Sequence, residues 1–213
     1  MYRIATEKDI PGITQLWQEA FHETPVLPDC ISFVGEEDGE VVCMLHALPQ
    51  MLKARHDHKA YYLYAIATKK AYRGRGLCRS LMAYAEQTLD ADCCVLVPAS
   101  ESLFDFYGSL GYETAFTRHR SQFAGGEEIS QGEYLALREQ LLPMAHMVYD
   151  DLSYAQKIYG LTFYRTPTGI CAASDGFTAE RIPEDLSDAP YGMLKWLRSA
   201  EPVQNAFLGF SLE

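Results

Sequence analysis

The sequence predicts an α/β (α+β) fold, a mixed central sheet flanked by helices, with a C-terminal α+β extension. Three observations carry that expectation. Over about the first 120 residues, short apolar strand runs alternate with the 3-and-4 apolar spacing of helices. Residues 69–76 form a basic, glycine-containing loop between a strand pattern and a helix pattern, and residues 93–97 are a continuous apolar run of the kind found in a strand covered on both faces. The 213 residues, 48% hydrophobic and 22% charged, suffice for one large domain or one domain with an appendage, and exclude a disordered chain.

Taken in order, residues 2–5 read as a short strand, after which Thr6 or Asp9 caps a helix with Ile13, Leu16, Trp17 and Phe21 on one face. Residues 31–35 and 41–48 are strand runs joined by Glu36-Glu37-Asp38-Gly39, in which Asp-Gly favours a hairpin turn. Residues 61–68 make a further strand. The glycine loop follows, then a helix with Leu77, Leu81, Tyr84, Ala85 and Leu89 on one face. The run 93–97 ends at Pro98, and a short helix over 103–110 stops at Gly111, a residue suited to the left-handed turn after a helix. Beyond Gly125-Gly126 the pattern predicts a helix over 130–142, strand pieces near 144–149 and 161–164, another helix near 191–198, and a last segment at 206–212. No internal repeat relates this part to the first. The expected division is therefore 1–124 and 125–213.

Lys and Arg number 18 against 29 Asp and Glu, a net charge of −11, which argues against a surface that grips nucleic acid or anionic lipid as a whole. Any anion must be held locally. Eight of the 18 basic residues fall between Lys53 and Arg79 with one acid, Asp57. The six cysteines, Cys30, Cys43, Cys78, Cys93, Cys94 and Cys171, form no C-x-x-C pair and read as buried thiols of a reducing compartment. No apolar stretch approaches the roughly 18 residues a membrane span needs, so a cytoplasmic protein without a membrane partner is expected.

In Arg73-Gly74-Arg75-Gly76-Leu77-Cys78-Arg79 two glycines precede a helix start, where unpaired N–H groups and a partial positive charge suit a phosphate. The arginines can add charge-assisted hydrogen bonds, so a diphosphate is the natural ligand. A nucleotide P-loop is excluded, because no Lys-Ser or Lys-Thr pair follows the glycines. A dinucleotide fingerprint is excluded too, since position 79 is Arg and no acid ends the following strand.

Arg73-x-x-Gly76-x-Cys78 resembles the Q/R-x-x-G-x-G/A loop of the GNAT acyltransferase superfamily. Residues 6–21 resemble that family's opening helix, and residues 64–80 its fourth strand, loop and helix. L-F-D-F-Y-G-S-L-G-Y at 103–112 resembles its second motif, a short helix ending F-Y-x-x-x-G-[FY]. The likeness covers about residues 1–120. It implies a GNAT-like acyl-CoA-binding domain over 1–124 and an accessory or degenerate GNAT-like segment over 125–213.

By that resemblance the pantetheine arm of acetyl-CoA pairs with the backbone of Ile66, Ala67 and Thr68, in a gap between the fourth and fifth strands. The amides of Arg73, Gly74, Arg75, Gly76, Leu77, Cys78 and Arg79 then hold the diphosphate. The reaction implied is direct attack of a primary amine, on a small molecule, peptide or protein, upon the acetyl thioester. Tyr107, at the F-Y position, is the candidate catalytic acid for the leaving thiolate. Where family members carry a basic Glu this chain has Tyr62; His46 or a water chain are the alternatives. Cys78, beside Arg75 and Arg79 at a helix start, is expected to be a tolerated small residue, and a lowered thiol pKa there would make it reactive.

His56-Asp57-His58 lacks third and fourth ligands at any recognisable spacing, so no metal site is assigned. Residues 125–213 carry no motif and are a candidate homodimer surface. Against the acetyltransferase stand a CoA-binding regulator without catalysis and a nucleic-acid module built on the basic cluster.

Overall fold

The computed structural model describes residues 1–25, 29–117, 125–142, 145–174, 177–182, 190–203 and 206–210, the side chain of Phe177 excepted. The chain divides into two compact units, Met1–Pro49 with Lys59–Leu96 and Lys195–Ser199, and Gln50–His58 with Val97–Leu194 and Ala200–Glu213. These units interleave along the chain, whereas the boundary expected at 124/125 is a single cut. That cut falls at the edge of residues 118–124, which lie outside the described residues.

In the first unit β1 (Tyr2–Ile4), β2 (Ile31–Glu37), β3 (Glu40–Lys53), β4 (Asp57–Thr68) and β5 (Cys93–Leu96) lie side by side in that order. The pairs β1/β2 and β2/β3 are antiparallel and β4/β5 is parallel, so the sheet is mixed. The β2–β3 link turns through Asp38 at φ 50° and Gly39 at φ 80°. Those left-handed angles are what a tight hairpin turn needs and what Asp-Gly supplies.

Two helices flank this sheet. α1 (Ile10–Phe21) buries Ile13, Leu16 and Trp17, while Phe21 at its end is exposed. Its entry is fixed by Asp9, which accepts from the Thr6 N–H at 2.7 Å and takes two hydrogen bonds from Arg3 at 2.6 and 2.8 Å. α2 (Leu77–Thr88) packs on β1 and β2 and buries Leu81, Met82 and Ala85. Each such large side chain contributes about 1.5–3 kcal/mol on burial.

The second unit holds α3 (Glu101–Gly108), β6 (Glu113–Thr117), β7 (Glu127–Ile129), α4 (Gln131–Leu141), β8 (His146–Val148), α5 (Ser153–Tyr159), β9 (Thr162–Thr166), β10 (Gly169–Ser174), β11 (Phe177–Ile182) and β12 (Pro190–Trp196), the last running into the first unit. β11, β10, β9 and β7 form an antiparallel sheet in that order. Met51–Lys53 of β3 pairs with β8. Gly111 adopts φ 89° just after α3, as its sequence position predicts. The predicted segments at 144–149 and 206–212 lie partly outside the described residues; within them the structure gives β8 and two isolated bridges, at Ala206 and Phe207.

A buried charge cluster sits in this unit's core beside Phe163 and Phe210. Glu180 accepts from Tyr134 Oη at 2.6 Å and Arg138 Nε at 3.0 Å, and Arg138 also donates to the Met147 carbonyl at 2.7 Å. Gly209 lies over it, and a Cβ there would come within 2.0 Å of Glu180 Oε2.

The helix expected near 191–198 is a strand instead. β12 pairs antiparallel with β6, Leu194 opposite Glu113 and Gly192 opposite Phe116. A Cβ at Gly192 would lie 3.1 Å from Phe116 and 3.2 Å from Leu208, so the glycine permits close approach of a neighbour. Tertiary pairing overrides the short helical spacing of Met193, Leu194 and Leu197. Among the described residues, no helix is long and apolar enough to cross a membrane.

Candidate functional site

β4 and β5 run in register only from Ala60 opposite Cys93 to Tyr62 opposite Val95, and β5 ends at Leu96. Residues 63–68 of β4 continue beyond that pairing. Within them Ala65 takes φ 48°, a left-handed angle costing an alanine about 1–2 kcal/mol. The strained residue thus lies three positions past the last pair with the parallel neighbour. Ile66, Ala67 and Thr68, expected to contact an extended ligand, follow immediately.

The chain then makes a single 3-10 turn, Lys70–Tyr72, anchored by the Lys69 N–H on the Val42 carbonyl at 2.8 Å. Gly74 at φ 77° and Gly76 at φ 76° are both left-handed, and Gly76 is the residue from which α2 starts. The first bond of that helix runs from the Ser80 N–H to the Gly76 carbonyl at 3.1 Å. The amides of Gly74, Arg75, Gly76, Leu77 and Cys78 find no acceptor among the described residues. A Cβ at either glycine would meet nothing within 4 Å, so the space over the loop is open. Five N–H donors at the positive end of a helix make a site for an anion with several oxygens.

The side chains are arranged differently from the sequence expectation. Arg75 pairs with Glu37 at 2.9 Å and lies over the Tyr72 ring, and Arg73 Nε donates to the Thr68 carbonyl at 3.1 Å. Lys69 is buried and paired with Glu40, which also accepts from Tyr72 Oη at 3.0 Å. Lys53 with Glu139 and Lys59 with Asp90 complete the pattern, so much of the basic cluster is divided into ion pairs with acids distant in sequence. Arg79 is exposed on the first turn of α2.

Cys78 fits the tolerated small residue expected there and not the reactive alternative. Burial, with Cys43 beside it, pushes its thiol up to about 12, and Arg79 offsets little of that. The helix start does not activate it, and it is a small, protonated packing residue. All six cysteines are free thiols.

His46 is likewise no exposed base. Its side chain is fully buried, with Nδ1 2.8 Å from Ser32 Oγ and the ring between Trp17 and Tyr64 at 5.4 and 5.5 Å. Burial pushes its pKa down to about 4, so it is a neutral core histidine. Tyr62 and Tyr64 share one face of β4 as alternation predicts, their rings stacked 6.4 Å apart. Tyr107 lies in the second unit, on the last turn of α3, buried with its ring 5.1 Å from Phe106 and 6.1 Å from Tyr112.

Residues 1–115, more than half the chain, match the family model described as an acetyltransferase (GNAT) domain. The chain belongs to the GNAT acetyltransferase family. Its fold is shared with a GCN5-related N-acetyltransferase from Kribbella flavida, 16% identical, with a TM-score of 0.67 over 92% of this chain and 72% of that one. A conserved protein of unknown function from Enterococcus faecalis is similar at 12% identity and TM-score 0.66, over the same shares of the two chains. Eis1 from Mycobacterium abscessus is similar at 10% identity and TM-score 0.62, over 81% of this chain and 53% of that one. No protein of curated function matches. The GNAT fold likeness therefore reaches well past residue 115. One element of this candidate site had no sequence signal, the left-handed Ala65, because alanine does not advertise a positive φ.

Proposed function

We propose that this GNAT-family chain transfers an acetyl group from acetyl-CoA to a primary amine of a small molecule, peptide or protein. The uncharged amine attacks the thioester carbon while both substrates are bound, the carbon–sulfur bond breaks, and an amide and free CoA result. The backbone of Ile66, Ala67 and Thr68 takes the pantetheine arm. The Arg73 N–H is already bonded to the Lys70 carbonyl at 3.4 Å, so the amides of Gly74 to Cys78 take the diphosphate, and Tyr107 gives its proton to the departing thiolate, an effect worth on the order of 10²–10⁴ in rate. No side chain is assigned as base, so the amine's proton leaves through water. Residues 125–213 serve as an accessory segment.

The observation that carries this reading is the set of five amides without an acceptor among the described residues, at two left-handed glycines that open α2. Thermal unfolding with acetyl-CoA tests it. At about 100 times the dissociation constant the gain is roughly 2.7 kcal/mol, or about 5–11 °C for a chain of this length. Release of free thiol over a panel of amines then tests transfer. Absence of a shift with acetyl-CoA, other acyl-CoAs and CoA refutes the reading; a shift without thiol release from any amine points to a CoA-binding regulator.

A further inference from the structure

A side-chain cluster with no part in the acyl-CoA reading lies in the second unit. His56 sits in the turn between β3 and β4, and His58 is the second residue of β4. Separated by two in an extended segment, they point to the same side. The fold brings Glu201 to them from beyond β12. Its Oε2 lies 3.2 Å from His56 Nδ1 and its Oε1 3.1 Å from His58 Nε2, and the three ligand atoms all lie within 4.8 Å of one another. The Arg55 amide donates to Oε1 at 3.0 Å and fixes the carboxylate plane. This is the third ligand that the H-x-H spacing lacked.

The spacing and the donor set identify the occupant class. A zinc ion with bonds of about 2.0–2.2 Å in tetrahedral geometry holds its ligand atoms about 3.3 Å apart. Each imidazole already has one Glu201 oxygen at about that distance, Oε2 for His56 and Oε1 for His58, and the remaining separations, within 4.8 Å, close by rotation of His56, whose side chain is 72% exposed, against a base of His58 and Glu201 that are only 14% and 16% exposed. Two imidazoles and one carboxylate suit a borderline first-row ion, whereas magnesium and calcium require sets built from oxygen. Three protein ligands with one open to solvent leave a fourth position for water.

We propose that His56, His58 and Glu201 bind one divalent transition-metal ion of the zinc class. The ion ties the β3–β4 turn to the segment carrying Glu201, and acetyl-CoA has no part in it.

The test uses the full chain, stripped by a chelator and titrated calorimetrically with zinc chloride near neutral pH. One zinc per chain is expected, with no uptake of magnesium. His56→Ala and Glu201→Gln should each weaken zinc binding roughly tenfold or more. Because His56 is exposed, His56→Ala should unfold at the wild-type temperature without metal and lose only the stabilisation that zinc adds. Cobalt(II) in place of zinc should give visible d–d bands without thiolate charge transfer. Zinc bound equally well by wild type and His56→Ala, a thiolate band with cobalt, or no zinc bound by the wild type would each overturn the proposal. None of these readouts involves acetyl-CoA, so failure here leaves the acyl-CoA reading standing, and the reverse.

Discussion

Replacing Gly76 with alanine separates the conformation of the loop from the ligand it is proposed to hold. At φ 76° an alanine pays about 1–2 kcal/mol for the left-handed angle. Its Cβ meets nothing within 4 Å, so no clash adds to that cost. The stiffer unfolded chain returns roughly 0.4–1 kcal/mol, leaving a net loss near 1 kcal/mol, or about 2–4 °C in midpoint. Gly160→Ala supplies the control: φ there is 62° and the nearest atom to a new Cβ is Ser174 Oγ at an ordinary 3.7 Å, so a similar stability loss is expected. The two variants part in binding. An alanine relaxing toward negative φ turns the amides of residues 76 and 77 away from the anion, and each hydrogen bond to a charged group is worth about 1.5–3 kcal/mol. Calorimetric titration with acetyl-CoA should therefore show a dissociation constant raised by tenfold to more than a hundredfold for Gly76→Ala and unchanged for Gly160→Ala. If Gly76→Ala loses the expected stability yet binds acetyl-CoA like the control, the loop amides are not the diphosphate site.

Three further outcomes follow from named groups. Tyr107→Phe should keep acetyl-CoA binding and midpoint while losing on the order of 10²–10⁴ in turnover, measured by thiol release; retained turnover would return Tyr107 to a packing role. Glu180→Gln leaves Arg138 charged and buried without its buried counter-ion, Glu139 at 3.8 Å being half-exposed, and should cost about 3–5 kcal/mol in urea unfolding of the whole chain; a loss below about 1 kcal/mol would contradict the network. His46, with its pKa pushed down to about 4, takes up a proton more readily when unfolded. Stability should therefore fall by roughly 3 kcal/mol as pH drops from about 6.5 to about 4, and His46→Gln should flatten that stretch of the stability profile.

The parts of the fold legible in the sequence are those set by neighbours in sequence. Asp38-Gly39 names its own turn, because two left-handed residues suffice to make it. Thr6 and Asp9 name the helix start, since the hydrogen bonds that make it span three residues. β12 was not legible for the opposite reason. Its strand state depends on β6 some eighty residues earlier and on Phe116 and Leu208 closing in over Gly192, and nothing within 190–196 encodes those distant partners. Tyr134, Arg138 and Glu180 show the same limit, as a buried cluster drawn from a helix and a strand with no shared motif.

The two candidate sites divide along the same line. The glycine loop offers main-chain amides of consecutive residues, so its proposed chemistry is written in one short string and a resemblance over that string carries it. What the string could not carry was the side-chain arrangement, because Glu37 and Glu40, which claim Arg75 and Lys69, come from a hairpin more than thirty positions away in one case and nearly thirty in the other. The His56, His58 and Glu201 cluster needs a ligand from the far end of the chain, and its first two members alone are an unremarkable pair. A pattern search rewards contiguity, while coordination rewards convergence in space. Ion pairs and ligand sets assembled over long loops are therefore where this structure adds most to its sequence.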